Sequence, residues 1–238
     1  MSCFHRLIHP RRLALIPARG GSKGLPGKNL ASVGGATLTA RTVQCAIETR
    51  LFDYILLSTD DERIADEGRR HGAQVPWLRS LTLASDTAAV LDTVRDSLRR
   101  LAEAGVPPFE MVALLEPTSP LRTVTIVKRT VDAAESAGAD AAVSVSAVPI
   151  RYHPRKQFRV DAEGFATLFE TGCGQVVNRQ ELNRTFIRNG MCYATRTMSL
   201  TTGAGLLGTR LRLVLVPGPV VNIDDEEDLA LARKILGP

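Results

Sequence analysis

Residues 13–29 read LALIPARGGSKGLPGKN, and this stretch decides the fold. The apolar run at its start, residues 13–16, predicts a buried strand. The loop that follows is rich in glycine and in cations. Its glycines are Gly20, Gly21, Gly24 and Gly27, and its cations are Arg19, Lys23 and Lys28. Glycine lets backbone N–H groups crowd around a ligand, and cations supply charge complementary to polyphosphate, so the stretch predicts a strand followed by a phosphate-binding loop.

The loop differs from two well-known phosphate-binding motifs. A P-loop needs a glycine five residues before its Gly-Lys pair and a Ser or Thr after it. Here Ser22 occupies the first position and Asn29 the second, which excludes a P-loop ATPase. The dinucleotide fingerprint G-x-G-x-x-G also fails, because Gly20 and Gly21 are adjacent. The sequence therefore indicates a different kind of nucleotide-binding loop.

Length and charge limit the classes of partner. A chain of 238 residues predicts one α/β domain, with or without an appendage. The formal charge of +5 is modest and concentrates in residues 5–12, in the glycine-rich loop and in residues 151–159. The chain's seven Phe, three Tyr and one Trp are not interleaved with the basic residues, as a nucleic-acid groove would require. These features favour a small anionic substrate and no nucleic-acid partner.

Cysteine spacing and hydropathy give two further expectations. The four cysteines share no close spacing, so the sequence has no zinc or redox signature. No apolar run approaches membrane-spanning length, and residues 1–12 contain no apolar segment long enough for a signal peptide. We expect a cytoplasmic protein without membrane contact.

Apolar runs alternate with helical patterns along the rest of the chain. Strands are predicted at residues 54–57, 111–115 and 141–148, and core-like strands at 191–193 and 211–216. Helices are predicted at residues 37–50, 61–71, 90–101, 123–137 and 225–236. This alternation favours an α/β fold with a mostly parallel, mixed sheet and helices on both faces. Ligands of such sheets bind at the carboxyl ends of the strands, where Arg19, Glu116 and Asp224 are expected to meet.

Several polar residues could also serve as helix caps. Asp61 is the favoured cap of the helix that follows the second strand, and Ser85 or Asp86 could cap the helix at residues 90–101. Asp224 precedes the last helix, either as its N-cap or as a ligand. Arg79 and Ser85 are expected on loops, where ligand contacts are common.

Residues 149–188 differ in composition and hydrophobic periodicity from the rest of the chain. Periodicity weakens there, and short alternating pieces around Phe158, Val160, Phe165 and Leu168 predict a small antiparallel excursion. We interpret residues 149–190 as an inserted arm rather than a second domain. The predicted organisation is thus a basic tail at residues 1–12 and one α/β domain at residues 13–238 that includes the arm.

Six motifs together resemble the acylneuraminate cytidylyltransferases, the CMP-nonulosonate synthetases. They are IPARGGSKGLPGKNL, FDYILLSTDDERIADEGRRHGAQVP, LASDTA, EPTSPLRT, RQELNRTFIRNG and NIDDEEDL, in the family's order from Leu13 onward. The resemblance implies a nucleotide-diphospho-sugar transferase (GT-A-like) fold and a homodimer whose β-rich arm reaches into the partner's site. It also implies Mg²⁺ as cofactor, CTP and an acidic nonulosonic sugar as substrates, and CMP-sugar and pyrophosphate as products.

The resemblance also implies roles for individual residues. The catalytic residues would be Arg19, Lys28 and Asp224. The nucleotide would be bound by Ala18, Arg19, Gly20, Gly21, Ser22, Lys28, Asn29, Arg79, Ser85 and Asp86. The acceptor would be bound by Glu116, Thr118, Ser119, Lys156 and Arg179. The metal would be held by Asp224 and Asn222.

Two positions depart from the family pattern. Glu116 stands where the family usually has Gln, and Asn222 stands in the first place of an Asp-x-Asp metal motif. An amide oxygen ligates a hard cation more weakly than a carboxylate, so Glu116 is hypothesised to restore negative charge near the metal.

These departures leave several readings open. The acceptor could be sialic acid, pseudaminate, legionaminate, Kdo or a phosphonate, and the nucleotide could be ATP or UTP. A reading from a different class is a catalytically weak, nucleotide-binding regulatory protein.

Overall fold

A computed structural model describes residues 11–22, 24–85, 88–170 and 182–237. Within these ranges the strands are β1 (Arg12–Pro17), β2 (Ser32–Val33), β3 (Ala36–Thr37), β4 (Tyr54–Ser58), β5 (Met111–Leu114), β6 (Ala141–Ala147), β7 (Phe158–Val160), β8 (Ala166–Leu168), β9 (Phe186–Arg196) and β10 (Leu211–Leu215). Six of them form the main sheet in the order β10-β6-β9-β5-β1-β4. Strand β9 runs antiparallel to both neighbours, and the other pairs are parallel. The predicted mostly parallel, mixed sheet is confirmed.

The helices are α1 (Leu38–Thr49), α2 (Glu62–Arg70), α3 (Leu81–Ala84), α4 (Val90–Glu103), α5 (Val124–Glu135), α6 (Thr197–Thr201) and α7 (Glu226–Leu236). Thr37, Asp61, Thr123 and Asp225 cap helices α1, α2, α5 and α7, because each side chain accepts a hydrogen bond from a backbone N–H of the first turn. The prediction of Asp61 as a cap is confirmed. None of the described helices is both long and apolar enough to cross a lipid bilayer.

Helices cover both faces of the sheet, as predicted. Side chains alternate along each strand, so Ile16 of β1 packs with α1, α2 and α5, whereas Leu15 packs with α4 and α6. Val43 and Ile64 are buried on the first face, and Leu101 on the second. The carboxyl ends of β1 and β5 lie side by side between these two layers.

Two strand predictions need correction. The strand predicted at residues 191–193 is the longer β9, because its polar first half pairs with β6 from Ala147↔Phe186 onward. Residues 186–190, which the sequence assigned to the arm, therefore belong to a strand of the main sheet. Strand β10 is not core-like but an edge strand, and its Leu213 is 50% exposed. Of the five residues of β10, only Val214 is buried.

The loop before α4 and the arm complete the fold. Helix α4 begins after Ala89, without a side-chain cap, and Ser85 is instead the C-cap of α3. The prediction that Ser85 caps α4 is thus wrong, since Ser85 ends α3 and α4 begins only at Val90. Asp86 lies outside the described residues. In the arm, β7 and β8 pair antiparallel, which confirms the predicted excursion.

Candidate active site

A cleft of about 380 Å³ lies at the carboxyl ends of β1 and β5. Its lining residues are Pro17, Arg19, Lys28, Asn29, Arg79, Leu83, Ser85, Ala88, Val90, Thr93, Glu116, Pro117, Thr118, Asn222 and Asp224. Nine of these were predicted site residues, namely Arg19, Lys28, Asn29, Arg79, Ser85, Glu116, Thr118, Asn222 and Asp224. The fold therefore brings together most of the side chains that the sequence motifs single out.

Lys28 reaches across the cleft to the segment before α7. Gly27, at φ +70°, starts a single 3₁₀ turn at Lys28–Leu30, and this left-handed conformation favours glycine. The Nζ atom of Lys28 donates to the carbonyl oxygen of Ile223 at 3.0 Å and to Oδ1 of Asp224 at 3.1 Å. The glycine-rich loop and the end of the chain are thereby joined at one charged pair.

The position of Asp224 depends on a close backbone approach. A Cβ atom added at Gly24 would overlap the carbonyl oxygen of Asp224, so only glycine fits there without displacing the acid. Asp225, not Asp224, is the N-cap of α7, and the Asp224 backbone N–H donates to Oδ2 of Asp228 at 3.0 Å. The Asp224 side chain is therefore not used as a cap and faces the cleft.

Asn29 contributes a buried acceptor to the cleft. The Nδ2 atom of Asn29 donates to the carbonyl oxygen of Arg19 at 2.8 Å, and the backbone carbonyl oxygen of Asn29 accepts from the Thr39 hydroxyl at 2.8 Å. Within the described part of the chain, its Oδ1 atom is buried without a hydrogen-bond partner. Because buried polar atoms are rarely left unpaired, this oxygen is suited to receive a hydrogen bond from a ligand.

Arg79 is held in the cleft wall by Asp60. Its guanidinium lies 3.7 Å from Oδ1 of Asp60 and 3.5 Å from the Thr93 hydroxyl. Burial lowers the pKa of Arg79, and the nearby Asp60 opposes this shift. Oδ1 of Asp60 also accepts from the Gly20 N–H at 3.0 Å. Asp60 thus links the glycine-rich loop to Arg79, a role that no local sequence pattern indicated.

Glu116 follows β5 and faces both acids and bases. Burial raises its pKa above the ordinary value; Arg122 and Arg188 oppose the shift, and Asp224 adds to it. Its Oε2 atom would lie 2.7 Å from a Cβ atom added at Gly190, so this glycine of β9 makes room for the carboxyl group. Its surroundings therefore favour the protonated form more than those of an exposed glutamate.

Arg122 fixes the turn that carries Glu116. Its guanidinium is buried and donates to the carbonyl oxygens of Glu116, Gly190 and Met191 and to the Thr42 hydroxyl, the last at 3.1 Å. These bonds tie the end of β5 to β9 and to α1. Arg122 lies in the motif EPTSPLRT, but no local pattern predicts which distant carbonyls it meets.

Ser119, a predicted acceptor-binding residue, is not among the residues that line the cleft. Its side chain is fully buried, and its hydroxyl donates to the Asn189 carbonyl oxygen at 3.0 Å. Thr118 does line the cleft, as predicted.

The other predicted residues lie elsewhere. Ala18 is buried and donates its N–H to Ser58 at 2.9 Å. Gly20, Gly21 and Ser22 do not line the cleft, and the Gly20 N–H is bonded to Asp60. Lys156 is exposed on the arm and away from the cleft. Asp86 and Arg179, together with Lys23, lie outside the described residues.

A second chamber of about 430 Å³ adjoins the cleft. Its lining residues are Val90, Leu114, Glu116, Ile187, Arg188, Gly190, Tyr193, Leu206 and Asn222. Val90, Glu116 and Asn222 line both cavities, so the two spaces meet at these side chains. Arg188 and Tyr193 were not predicted as site residues.

At the end of the cleft, Asp224 and Asn222 offer donor atoms that fit a cation, provided that a bound substrate supplies further ligands. Asp224 offers a carboxylate, and the Nδ2 atom of Asn222 lies 3.5 Å from its Oδ2, which places an amide beside the acid. Among the described residues, no group of three or more His, Cys, Asp or Glu could hold a metal by itself. Mg²⁺ is commonly bound by one or two carboxylates together with substrate phosphates and water, and this donor set is compatible with that mode.

Comparisons with known proteins agree with this geometry. A family model described as "Cytidylyltransferase" matches residues 13–200. The chain is 42% identical over 154 residues to the CMP-N,N'-diacetyllegionaminic acid synthase of Legionella pneumophila, covering 65% of each chain. It is 32% identical over 183 residues to an N-acylneuraminate cytidylyltransferase of Streptococcus agalactiae, covering 76% of this chain and 42% of the relative. The matches thus span 65% and 42% of the lengths of these relatives.

A solved structure is similar over nearly the whole chain. It is a CMP:2-keto-3-deoxy-manno-octonic acid synthetase complexed with CTP, with a TM-score of 0.69 and 18% identity over 95% of this chain and 98% of that chain. At this level of identity the similarity concerns the fold, and it confirms the predicted GT-A-like architecture.

Proposed function

The chain belongs to the cytidylyltransferase family, and we propose that it transfers the CMP group of CTP to an acidic nonulosonic sugar with release of pyrophosphate. The observation that carries this proposal is the meeting of Arg19, Lys28, Glu116 and Asp224 in one cleft. Two cations and two acids at the carboxyl edge of the sheet suit a triphosphate and its counter-ion.

The nucleotide would occupy the cleft with its base toward Asn29. Cytosine presents an exocyclic amino group as a donor, and the unpaired Oδ1 of Asn29 is a matching acceptor. Uracil carries a carbonyl oxygen in that place, which favours CTP over UTP. Arg79 and Ser85 line the same wall.

The reaction is a displacement at the α-phosphorus. A hydroxyl oxygen of the sugar forms a bond to this phosphorus while the bond to the β-phosphate oxygen breaks. Pyrophosphate leaves with the electron pair, and the hydroxyl proton is released to water. Such transfers depend on positioning and on neutralisation of charge rather than on covalent chemistry by the protein. Arg19 and Lys28 would hold the triphosphate and stabilise the charge that develops on the leaving group.

We propose Mg²⁺ as the cofactor, held by Asp224 with help from the Asn222 amide oxygen. When bound, the ion would neutralise phosphate charge at the reacting phosphorus. Because Asn222 is neutral, an ionised Glu116 would supply the missing negative charge. Burial raises the pKa of Glu116, and a cation bound beside it would favour its ionised form.

We also propose that the protein acts as a cytoplasmic homodimer through its arm. The arm exposes large apolar side chains, among them Phe158, Val160 and Phe165, which are 63–70% exposed. Lys156 lies on the same arm, away from its own cleft, where it could reach a partner's cleft. Light scattering should give twice the chain mass, and a monomer at working concentration would contradict this part of the proposal.

The decisive experiment is incubation with CTP, Mg²⁺ and a panel of acids: N-acetylneuraminate, legionaminate, pseudaminate, Kdo and a phosphonate. We expect pyrophosphate release and a CMP-sugar of the expected mass with at least one acid. Parallel reactions with ATP and UTP test the nucleotide. Tight CTP binding without turnover on any acid would instead support a regulatory, nucleotide-binding protein.

A further inference from the structure

A third cavity, of about 360 Å³, lies between helix α1 and the start of α5. We call it the α1–α5 cavity. Its lining residues are Arg41, Thr42, Gln44, Cys45, Glu48, Ser119, Pro120, Arg122, Thr123 and Val124. Among the described residues, none lines both this cavity and the cleft. The turn after β5 nevertheless contributes to both walls, since residues 116–118 line the cleft and residues 119–120 line the α1–α5 cavity.

Arg122 brings a buried positive charge to the wall of this cavity. It is only 8% exposed, and burial lowers its pKa because the charged form has lost its water. Its hydrogen bonds go to neutral groups, namely three backbone carbonyl oxygens and the Thr42 hydroxyl. The Nη1 atom carries two N–H groups and, within the described part of the chain, donates only to Thr42, which itself lines the cavity. One N–H group beside the cavity is thus left for a ligand.

Arg41 of α1 adds a second guanidinium with unused donors. Its Nη1 donates to the Val33 carbonyl oxygen at 3.2 Å and its Nη2 to that of Pro120 at 3.4 Å, while its Nε is buried without a partner among the described residues. Arg41 and Arg122 both oppose the rise that burial causes in the pKa of Cys45, so both lie near this thiol. In the part of the chain that the structure describes, neither arginine forms a salt bridge. Desolvated charges are costly without an ionic partner, so two such arginines at one cavity favour a bound anion.

The first turn of α5 adds to this preference for negative charge. The helix spans 12 residues, and its cap Thr123 accepts from the Ile126 N–H, which leaves the N–H groups of Val124 and Thr125 to other acceptors. Such N–H groups carry partial positive charge and suit the oxygens of a phosphate group. Glu48, the only carboxylate among the described lining residues, is exposed to solvent. It would repel a long polyanion but leaves room for a small one.

The same two arginines connect the α1–α5 cavity to the cleft. Nη2 of Arg122 donates to the backbone carbonyl oxygen of Glu116, and Nη2 of Arg41 donates to that of Pro120 at the other end of the turn. An anion that draws either guanidinium toward the cavity would weaken these bonds. The turn would then be held less firmly where residues 116–118 line the cleft.

We propose that the α1–α5 cavity is a regulatory site for a small phosphate-type anion, and that its occupancy weakens the binding of nucleotide in the cleft. Inorganic phosphate and pyrophosphate share this chemistry, and the cavity is large enough for either. Pyrophosphate is the product of the proposed reaction, so its binding would provide feedback. The coupling rests on the proposed function, because it takes CTP as the nucleotide, whereas anion binding to the cavity does not.

The first test measures phosphate binding without turnover. Calorimetric titration of wild type with inorganic phosphate should show binding that persists in Lys28→Ala, which weakens the cleft as a phosphate site. The affinity should fall about tenfold or more in Arg41→Met and in Gln44→Glu, the usual loss for a hydrogen bond to a charged group. Gln44 is an exposed lining residue, so its replacement adds repulsion without disturbing the core. Arg129→Met, an exposed arginine on α5, is the matched control.

The outcomes of this titration decide the site. Should Arg41→Met unfold, as judged by its melting temperature, Gln44→Glu carries the comparison alone. A parallel titration with pyrophosphate distinguishes the two sources, since the occupant is the anion that binds more tightly and loses affinity in Gln44→Glu. If neither anion loses affinity in Gln44→Glu, or if binding disappears in Lys28→Ala, the cavity is not the anion site and the proposal is overturned.

The second test measures the coupling to the cleft. With free Mg²⁺ held constant, the Kd of wild type for CTP should rise with the anion concentration and level off at about fivefold or more, a typical coupling between two sites. Simple competition within the cleft would instead raise the Kd without a plateau. In Gln44→Glu the same anion concentrations should leave the Kd for CTP unchanged.

Three results would overturn the coupling: a rise without a plateau, a rise that Gln44→Glu retains, or no rise at all. A wild-type protein that binds no CTP overturns the proposed function and the coupling together. The first titration still decides the α1–α5 cavity in that case, so failure of one proposal is distinguishable from failure of the other.

Discussion

Lys28 and Asp224 are 196 positions apart in the chain, yet the Lys28 Nζ atom lies 3.1 Å from Oδ1 of Asp224. The lysine side chain is mostly covered, whereas the acid is 70% exposed. An ion pair this open to solvent adds little to stability. Its consequence is positional, since it holds the cation of the glycine-rich loop against the acid at the opposite side of the cleft.

Lys28→Ala should lower turnover about 100- to 1,000-fold, because it removes one of the charges proposed to stabilise the transition state. The melting temperature should change little. Lys128→Ala, on the exposed side of α5, is the control and should keep its activity. Pyrophosphate release measures both, and near-normal turnover of Lys28→Ala would show that the loop does not bind the triphosphate.

Gly24→Ala should displace Asp224, because the added Cβ would overlap its carbonyl oxygen. We expect a lower turnover, a higher Mg²⁺ concentration for half-maximal activity and a melting temperature several degrees lower. Gly21→Ala provides the stability comparison, since its Cβ would meet no atom of the described residues within 4 Å. If both variants melt at the same temperature, the close approach at Gly24 is not needed.

Glu116→Gln introduces the residue that the acylneuraminate cytidylyltransferases usually have at this position. If Glu116 supplies negative charge near the metal, the variant should need more Mg²⁺ for half-maximal activity. A magnesium titration of pyrophosphate release at saturating CTP measures this. If wild type and Glu116→Gln show the same magnesium dependence, Glu116 does not supply negative charge to the metal site.

Asp140 predicts a pH dependence of stability. Burial would raise its pKa, but hydrogen bonds from the Thr209 and Arg210 N–H groups and the Thr209 hydroxyl outweigh it and lower the pKa from 3.8 to about 2. A carboxyl group whose pKa is lowered on folding stabilises the folded state at pH values above its unfolded pKa. This stabilisation is lost as the pH falls from 3.8 toward 2. Asp140→Asn should therefore cost stability at pH 7 and much less near pH 2. Urea unfolding at both pH values tests this, and a pH-independent cost would contradict it.

The sequence predicts those cleft residues that closely follow an apolar strand. Arg19 and Glu116 come straight after β1 and β5, whose pairing follows from their apolar runs. Asp224 also follows an apolar run and was expected at the same edge, but its contacts with Gly24 and Lys28 join distant parts of the chain and follow from no local pattern. The burial of Ser119 was not foreseen, because its hydroxyl is bonded to a carbonyl group 70 residues away.

Arg188 could not be found in the same way. Its place in the chamber depends on the pairing of β9 with β6, and a bulge in β9 between Arg188 and Tyr193 breaks the two-residue periodicity that reveals a strand. The polar residues of the sequence FIRNG resemble those of the arm, so these positions were assigned to the arm. The hydrogen bonds between Asn189 and Ser144 that specify the bulge join positions 45 apart, which no local pattern encodes.

Strand β10 ends the sheet with Leu211, Leu213 and Leu215 on a bare face, and in the described residues no strand pairs with its outer side. Unsatisfied backbone groups beside leucines form a template on which another extended chain can add. Arg210 and Arg212 place positive charge along this margin, and like charges repel when two such margins approach. Solubility on heating should therefore depend on these two arginines more than on any residue of the cleft.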